Sequence, residues 1–464
     1  MNKYLYLPIE TKVRELEAKL LLACHAAAAG FSVLLGEQHE LWFRMHGQPP
    51  GVYISTGATD IHLDGIVSMK KLGHRVAAWC EEGLAILDRQ DYARHRISKR
   101  AMRELDLFFA WGAYQAEAAR WRVPEAAGKI VLAGNPRLDI LRPPYRSAFL
   151  PRAEELREKY GPYILVNSSF GVCNNIFGPD FVLEKMIQSR GRIEDEAHKK
   201  FFHDWIEHLR GAFAEFQALV DLLARRFPDH RVLVRPHPSE NQAAWREAAT
   251  RPNVEVIHQG NVAPWILGAQ AVVHHACTTG VESFLLGKTP ISYRPQDSDV
   301  FEPALPKAAS ISTFTPEEVV RQVQRRIEAA GTDGSDQEGE AIKARMAEFI
   351  FKLDGPYSSE IIVAALERLL EDGDGWAGSK TGLAGRLFYW RMFLRRQAVQ
   401  QLVFLKNISR KKLKDYSRQK FPGVTLPEVV EIVNGFQKVN DRFRSLRIQR
   451  DQGARACFRI AAGT

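Results

Sequence analysis

Short apolar runs, separated by stretches of helical period, recur along most of this chain. That rhythm restricts its fold more than any other property. The first third reads "KYLYLPI", "FSVLLG", "GVYIST", "HRVAAWC", "LDLFFAWG" and "KIVLAG", with helical patterns such as "RELEAKLLLACHAAAAG" in between. Strands that alternate with helices build a parallel sheet covered on both faces, so a doubly wound α/β domain is expected. The segment "NPRLDILRPPYRSAFLPRAEELREKYG" has four prolines and no sustained apolar period, which suits a crossing between domains. The rhythm restarts at "YILVNSSFG" and continues through "HRVLVRPHPSE", "VEVIHQG", "AVVHHACTTGVESFLLG" and "TPISYRP", with a long amphipathic helix over "KKFFHDWIEHLRGAFAEFQALVDLLARRF". Two Rossmann-like α/β domains are therefore expected, over residues 1–145 and 146–372. A polar, glycine-rich loop is expected around Gly331 to Glu340, before helical patterns resume.

The 464 residues suffice for two cores. Five cysteines, Cys24, Cys80, Cys173, Cys277 and Cys457, lie far apart with no CxxC pair, which argues against a zinc knuckle and a disulfide framework and suits a reducing cytosol. Glu10 and Glu15 interrupt the place where a signal peptide would need an apolar core, and no run approaches the ~18 apolar residues of a membrane span. A cytoplasmic protein, soluble or peripheral on a membrane, is expected. Of the net charge of +9, the stretch from Gly373 onward carries +13, with 19 Lys/Arg against 6 Asp/Glu, which leaves −4 for residues 1–372. So basic a terminus argues against a nucleic-acid surface on the core and for an anionic partner such as a lipid headgroup layer. Residues 373–464 are expected to form a basic helical extension. Its Phe388, Trp390, Phe393, Leu394, Arg391, Arg395 and Arg396 suit either a helix packed on the core with a solvated face or an interfacial helix.

Ligands of doubly wound sheets sit outside the carboxyl ends of strands, and two such domains imply a cleft between them. Neither GxGxxG after the first strand nor a Walker A sequence is present, which weakens the dehydrogenase and NTPase readings. Three strand ends of the second domain are polar: Asn167, Ser168 and Ser169; Arg235, His237, Ser239 and Glu240; and His274, His275, Thr278, Thr279 and Glu282. Thr278, Thr279 and Gly280 bring hydroxyls, close backbone approach and a helix N-terminus, a phosphate site in outline, unless one threonine is a simple N-cap. Glu282 could then accept from a ribose diol. Pro236 and Pro238 bracket His237 and fix its backbone, so that His237, with Arg235 beside it, can donate to a phosphoryl oxygen; the alternative is a satisfied core histidine. The carboxylate pairs Asp297/Asp299 and Glu194/Glu196 fall in polar loops, and no metal is expected. His274 and His275 are adjacent and point to opposite faces of a strand.

In the first domain Glu81 and Glu82 end the strand "HRVAAWC". Adjacent carboxylates repel, which can raise one pKa toward a useful base, while Gly83 permits a tight turn. Alternatively they decorate a helix N-terminus. Asn135, Pro136 and Arg137 sit where the chain leaves the first sheet, to line the cleft or to fix the crossover. Glu10 and Arg14 follow the first strand and face an acceptor or form an internal ion pair.

An acidic pair followed by glycine, His-Pro at a strand end and a hydroxyl pair beyond it resemble the three motifs of bacterial sialyltransferases and Kdo transferases of the GT-B fold. "LPIETKVREL", "CEEGL", "GNPRLD" and "TTGVESFLLGKTPI", with "KLDGPYSSE", together look like the bacterial surface carbohydrate biosynthesis proteins, over roughly residues 4 to 365. The resemblance implies an inverting, metal-independent transfer of a sugar acid from a CMP-linked donor to a hydroxyl of a glycan or glycolipid, without a cofactor. Glu81 would be the general base, with Glu82 orienting or replacing it. His237 and Pro238 would hold the CMP phosphate and assist its departure, with Thr278 and Thr279 adding contacts. Aspartate often stands in that family where Glu81 or Glu82 stands here, and threonines replace serines at the last motif. A phosphotransferase of the teichoic-acid type with a CDP-linked polyol, a sugar-nucleotide 2-epimerase and a non-catalytic binding module are the alternatives.

Overall fold

A computed structural model describes residues 3–84, 86–188, 195–329, 336–371, 383–406 and 420–463. Glu194 and residues 331 to 335 of the glycine-rich loop lie outside them. Six strands come first: β1 (Lys3–Ile9), β2 (Phe31–Glu37), β3 (Val52–Ser55), β4 (Arg75–Ala78), β5 (Leu107–Ala110) and β6 (Ile130–Leu132). Six more follow: β7 (Tyr163–Asn167), β8 (Arg231–Arg235), β9 (Val254–Val256), β10 (Ala271–His274), β11 (Ile291–Tyr293) and β12 (Ile311–Thr313). The last two are β13 (Leu446–Arg450) and β14 (Cys457–Ala462). The chain divides into two compact units. One gathers residues up to Gly83, Arg89–Ala148 and those from Ala347 on; the other holds Leu84–Asp88 and Phe149–Met346.

The first unit has the sheet order β13-β14-β2-β1-β3-β4-β5-β6. From β2 to β6 all neighbours are parallel, and the order reverses between β1 and β3. Leu5, Leu7, Val33, Leu35, Phe108 and Phe109 are fully or almost fully buried, as expected of parallel strands covered on both faces. The helix Lys12–Ala28 crosses from β1 to β2 and buries Leu20, Leu21 and Leu22.

The C-terminal segment carries helices Leu383–Lys406 and Leu426–Gln437, and beyond the expected helices it adds the hairpin β13–β14. Strand β14 runs antiparallel to β2, with Cys457 opposite Gly36 and Ile460 opposite Val33. Phe458 and Ile460 are wholly buried, while Arg447, Arg450 and Arg459 give the same stretch its basic appearance. Residues 347–371, expected with the second domain, also belong to the first unit. The reason is local: buried Asp139 of "GNPRLD" accepts from the amides of Ser358 and Ser359 at 2.9 and 2.8 Å and from the Ser359 hydroxyl at 2.7 Å, fastening the start of the helix Ser358–Glu371.

In the helix Leu383–Lys406, Tyr389 is fully buried and donates its hydroxyl to the Trp42 carbonyl. Phe393 lies 5.7 Å from the Trp42 ring and Trp390 4.9 Å from His46. These two rings thus pack within the protein, while Leu387 and Leu394 stay 61% and 63% exposed. The side chain of Arg396 lies outside the described residues. Among the described residues no helix is long and apolar enough to cross a membrane.

The second unit has six parallel strands in the order β12-β11-β10-β7-β8-β9. Read from β7, this is the 3-2-1-4-5-6 order of dinucleotide-binding sheets, with its switch point between β7 and β10. The helix Glu196–Arg226 lays Phe216, Leu219 and Leu223 over Ile164, Val166, Val232, Val234 and Val273.

Candidate functional site

In the first unit, the turn after β4 carries Glu81 inward and Glu82 outward. Lys19, on the helix Lys12–Ala28, places Nζ 2.8 Å from Glu81 Oε1 and 2.7 Å from Glu15 Oε2, and donates to the Pro8 carbonyl at 2.7 Å. The Trp79 indole donates to Glu81 Oε1 at 2.7 Å, and Glu15 accepts the backbone N–H groups of Glu10 and Thr11 at 2.9 and 2.8 Å. Arg137 donates to the Glu81 carbonyl oxygen at 3.0 Å. Residues of "LPIETKVREL", "CEEGL" and "GNPRLD" therefore meet around one buried ammonium.

The electrostatics correct the expectation for the acidic pair. Burial alone pushes the Glu81 carboxyl up, but Lys19, then Arg137 and the Trp79 indole, outweigh it and hold the group below the usual carboxylate range. Burial also pushes Glu82 up, and Arg96 and Arg14 more than reverse it. Glu82 pairs with Arg96 and lies 3.9 Å from Arg14 Nη2. Mutual repulsion does not raise either group, because the two carboxylates turn apart and each finds its own cation. Both are ionised acceptors rather than bases poised near neutrality.

Glu10 lies 2.8 Å from Lys420, so Glu10 and Arg14 both form internal ion pairs. Asn135 accepts from the Arg137 amide at 3.0 Å and caps the short helix Pro136–Asp139, with Pro136 in its first turn. These two fix the crossover, while the Arg137 guanidinium reaches the Glu81 turn. A Cβ on Gly83 would stand 2.4 Å from Gln115 Nε2 and 2.7 Å from Trp111 Cδ1. Close packing, then, demands this glycine, and Gly83→Ala is expected to lower stability by ~1–3 kcal/mol, the usual range for overpacking. The midpoint of urea unfolding would register it; an unchanged midpoint would mean that the Trp111 ring is not fixed.

In the second unit, Asn167 ends β7 at the switch point. It is buried, and neither atom of its amide has a hydrogen-bond partner among the described residues. The Ser168 hydroxyl donates to Glu240 Oε1 at 2.7 Å and the Ser169 hydroxyl to the His275 carbonyl at 2.7 Å, so both bind strand-end loops to each other. Buried Glu240 organises the region. Besides Ser168 it accepts the Phe170 and His237 amides, each at 3.0 Å, and the Trp245 indole at 2.8 Å. Burial pushes its carboxyl up against the opposing pull of these donors.

His237 is exposed near the start of the loop after β8. Its Nδ1 lies 2.8 Å from Ser239 Oγ and accepts from the Ser239 amide at 3.2 Å, which leaves the proton of the neutral ring on Nε2. Arg235 departs from its expected role: its guanidinium donates to the carbonyls of Gln259 and Gly260 at 2.9 and 2.6 Å and ties down the loop after β9. Burial lowers its pKa to about 10, with Glu282 opposing.

Beyond β10 neither threonine caps the helix Thr279–Leu285. Thr278 has helical backbone angles and no capping bond, and the Thr279 hydroxyl bonds to the Cys277 thiol. Gly280 is required by protein packing, since a Cβ there would meet His274 Nε2 at 2.5 Å and Ser310 Oγ at 2.9 Å. Ala276, just before, holds a φ of 39°, a strained conformation of the sort that collects at ligand sites. His274 and His275 point to opposite sides: the first bonds Ser310 at 2.8 Å, the second stacks on Phe170 at 4.8 Å. Asp297 pairs with Arg294 and Asp299 with Lys307, so these carboxylates do not form a common site.

Lys19, Glu15 and Trp79 were not singled out by sequence. The available signal was a lone lysine four residues after a glutamate inside the apolar run "LEAKLLLA".

No family model matches the chain, and no curated protein matches it. Solved structures are. The wall teichoic acid polymerase TagF aligns with a TM-score of 0.50 and 11% identity over 80% of this chain and 89% of its own. A putative UDP-N-acetylglucosamine 2-epimerase from Listeria monocytogenes aligns with a TM-score of 0.49 and 12% identity over 81% and 98%. The UDP-GlcNAc 2-epimerase of Methanocaldococcus jannaschii, in complex with UDP-GlcNAc and UDP, aligns at 0.42 and 13% over 79% and 100%. At such identities the likeness is one of fold, and the fold is two Rossmann-like α/β units of the GT-B type.

Proposed function

We propose that the chain is a glycosyltransferase of bacterial surface polysaccharide assembly, in capsule or lipopolysaccharide synthesis. It would transfer a sugar acid, Kdo or another nonulosonate, from a CMP-linked donor to a glycan hydroxyl, with inversion and without a metal. The observation that carries this reading is the mounting of His237. Two prolines restrict its backbone, Glu240 holds its amide, and Ser239 occupies Nδ1, so an exposed ring carries its proton on Nε2. A donor so held suits a phosphoryl oxygen and the charge that develops on a departing nucleotide. Asn167, Pro238, Thr278, Thr279 and Glu282 would complete the donor contacts, and the basic C-terminal segment would meet an anionic membrane surface carrying the acceptor. Glu81 would act as an ionised acceptor for the hydroxyl proton, with Lys19 lowering its basicity and Glu82 as the exposed substitute.

One observation favours a second reading. Because Glu81 is enclosed and held low by Lys19, a reaction that does not use it as base fits as well: phosphotransfer from a CDP-linked polyol, with His237 as base in its other tautomer, the proton on Nδ1 donated to Ser239 Oγ and Nε2 as the acceptor. Thermal shifts with CMP, UDP, CDP, GDP and CDP-glycerol separate the two. A ligand at 100 times its dissociation constant stabilises by roughly 2.7 kcal/mol. Selective stabilisation by CMP that His237→Ala abolishes is the expected outcome; preference for CDP-glycerol would move the assignment to the phosphotransferase, and no response to any nucleotide would remove both.

A further inference from the structure

We propose that the second unit holds one divalent cation of the zinc class between His208, His275 and Glu302, as a structural site. These residues come from three separate places: the helix Glu196–Arg226, the position just past β10, and the segment just before the helix Ala304–Ala308. One donor atom from each lies within 4.8 Å of the others, and all three side chains are buried. His208 is 8% exposed, His275 1% and Glu302 1%.

The spacing distinguishes an ion from a hydrogen-bonded cluster. His208 Nε2 stands 3.5 Å and His275 Nε2 3.8 Å from Glu302 Oε1. Nitrogen–oxygen hydrogen bonds fall at about 2.7–3.2 Å, so these contacts are too long. A tetrahedral zinc ion with bonds of ~2.0–2.1 Å holds its ligand atoms roughly 3.4 Å apart, which small movements of these side chains would reach. Among the described residues, His208 Nε2, both ring nitrogens of His275 and Glu302 Oε1 have no hydrogen-bond partner, a costly arrangement unless something binds there.

The surroundings suit such an ion. Phe170 stacks on His275 at 4.8 Å, Phe216 meets it edge-on at 5.6 Å, and Phe301 lies 5.4 Å from His208, so the imidazoles are fixed in a dry shell. Arg294 holds the other oxygen of Glu302 and is itself offset by Asp297, so Oε1 remains directed at the imidazoles. The carbonyl of His275 accepts the Ser169 hydroxyl, so an ion here would steady the strand ends without touching a substrate.

The purified full chain, loaded with zinc and dialysed, is expected to retain about one zinc per chain by elemental analysis, the complement of a single structural site. Replacement by cobalt should give the visible bands of a tetrahedral cobalt centre. His208→Ala and Glu302→Gln should each weaken zinc binding at least ~100-fold, more than the loss of an outer partner does. Zinc-edge anomalous diffraction from the unmodified protein needs no variant to fold: a peak between the three side chains supports the site. A folded protein that retains no zinc and shows no cobalt bands, a peak elsewhere, or folded variants with unchanged affinity would overturn it.

Discussion

Replacement of Lys19 by methionine is expected to destabilise the first unit by about 3–5 kcal/mol, the usual cost of removing one partner from a buried charge cluster. Lys19 serves two carboxylates, Glu15 and Glu81, and is nearly inaccessible at 3% exposure. Methionine keeps the length of the side chain, so lost packing contributes little and the uncompensated carboxylates dominate. Chemical denaturation followed by circular dichroism measures the effect, and adding Glu81→Gln should restore part of the loss. A change below ~1 kcal/mol, the size of an exposed pair, would mean that water reaches the cluster.

The same cluster gives a pH signature. Burial lowers the Lys19 pKa, but Glu15 and Glu81 outweigh it and raise the group above its ordinary value of 10.5. Its contribution is therefore complete below about 10.5 and disappears as pH rises through the higher folded pKa. On the acid side Glu81, lowered from 4.5, contributes above that value and loses its contribution as pH falls through its folded pKa. Glu15, raised by burial despite Lys19, acts in the opposite sense, so the alkaline limb is the cleaner test.

Glu240→Ala is expected to cost the second unit at least ~3 kcal/mol, since hydrogen bonds to a charged group contribute about 1.5–3 kcal/mol each and several donors would be left unpaired. Two of those donors are the amides of Phe170 and His237, one on each of the loops after β7 and β8. Nucleotide binding should fail even at temperatures where the variant remains folded. Glu240→Gln should also be impaired, because its amide would turn a donor toward other donors. Retained CMP stabilisation in the alanine variant would show that the His237 loop holds its shape by the prolines alone.

How far the sequence reached follows from what periodicity and spacing can carry. Alternating apolar runs gave both doubly wound sheets, because parallel strands buried on two faces leave near-continuous apolar stretches such as "YLYLPI" and "YILV". The hairpin β13–β14 escaped because its arginines mask the alternation that buries Phe458 and Ile460. The polar strand ends were visible as positions, but the directions of their side chains were not. Arg235 turns to carbonyls of its own unit, Gly280 packs against His274, and Ser168 is committed to Glu240, all contacts fixed by residues distant in sequence. Lys19 is the instructive omission: a lysine on a helix normally snorkels to solvent, and nothing local reveals that Glu81, far along the chain, waits beside it.

The place of β14 has a consequence for the timing of synthesis. Strand β2 ends at Glu37, and the strand that covers its outer edge begins only at Cys457. At ~5–20 residues per second a ribosome needs roughly 20–80 s to make the intervening stretch of about 420 residues. Throughout that interval the N–H and C=O groups along the apolar edge of β2 have no strand to pair with, while the whole second unit emerges and can fold. Strand β2 is thus made long before the strand that completes its edge, and until β14 emerges that edge is open to a chaperone or to a transient non-native strand.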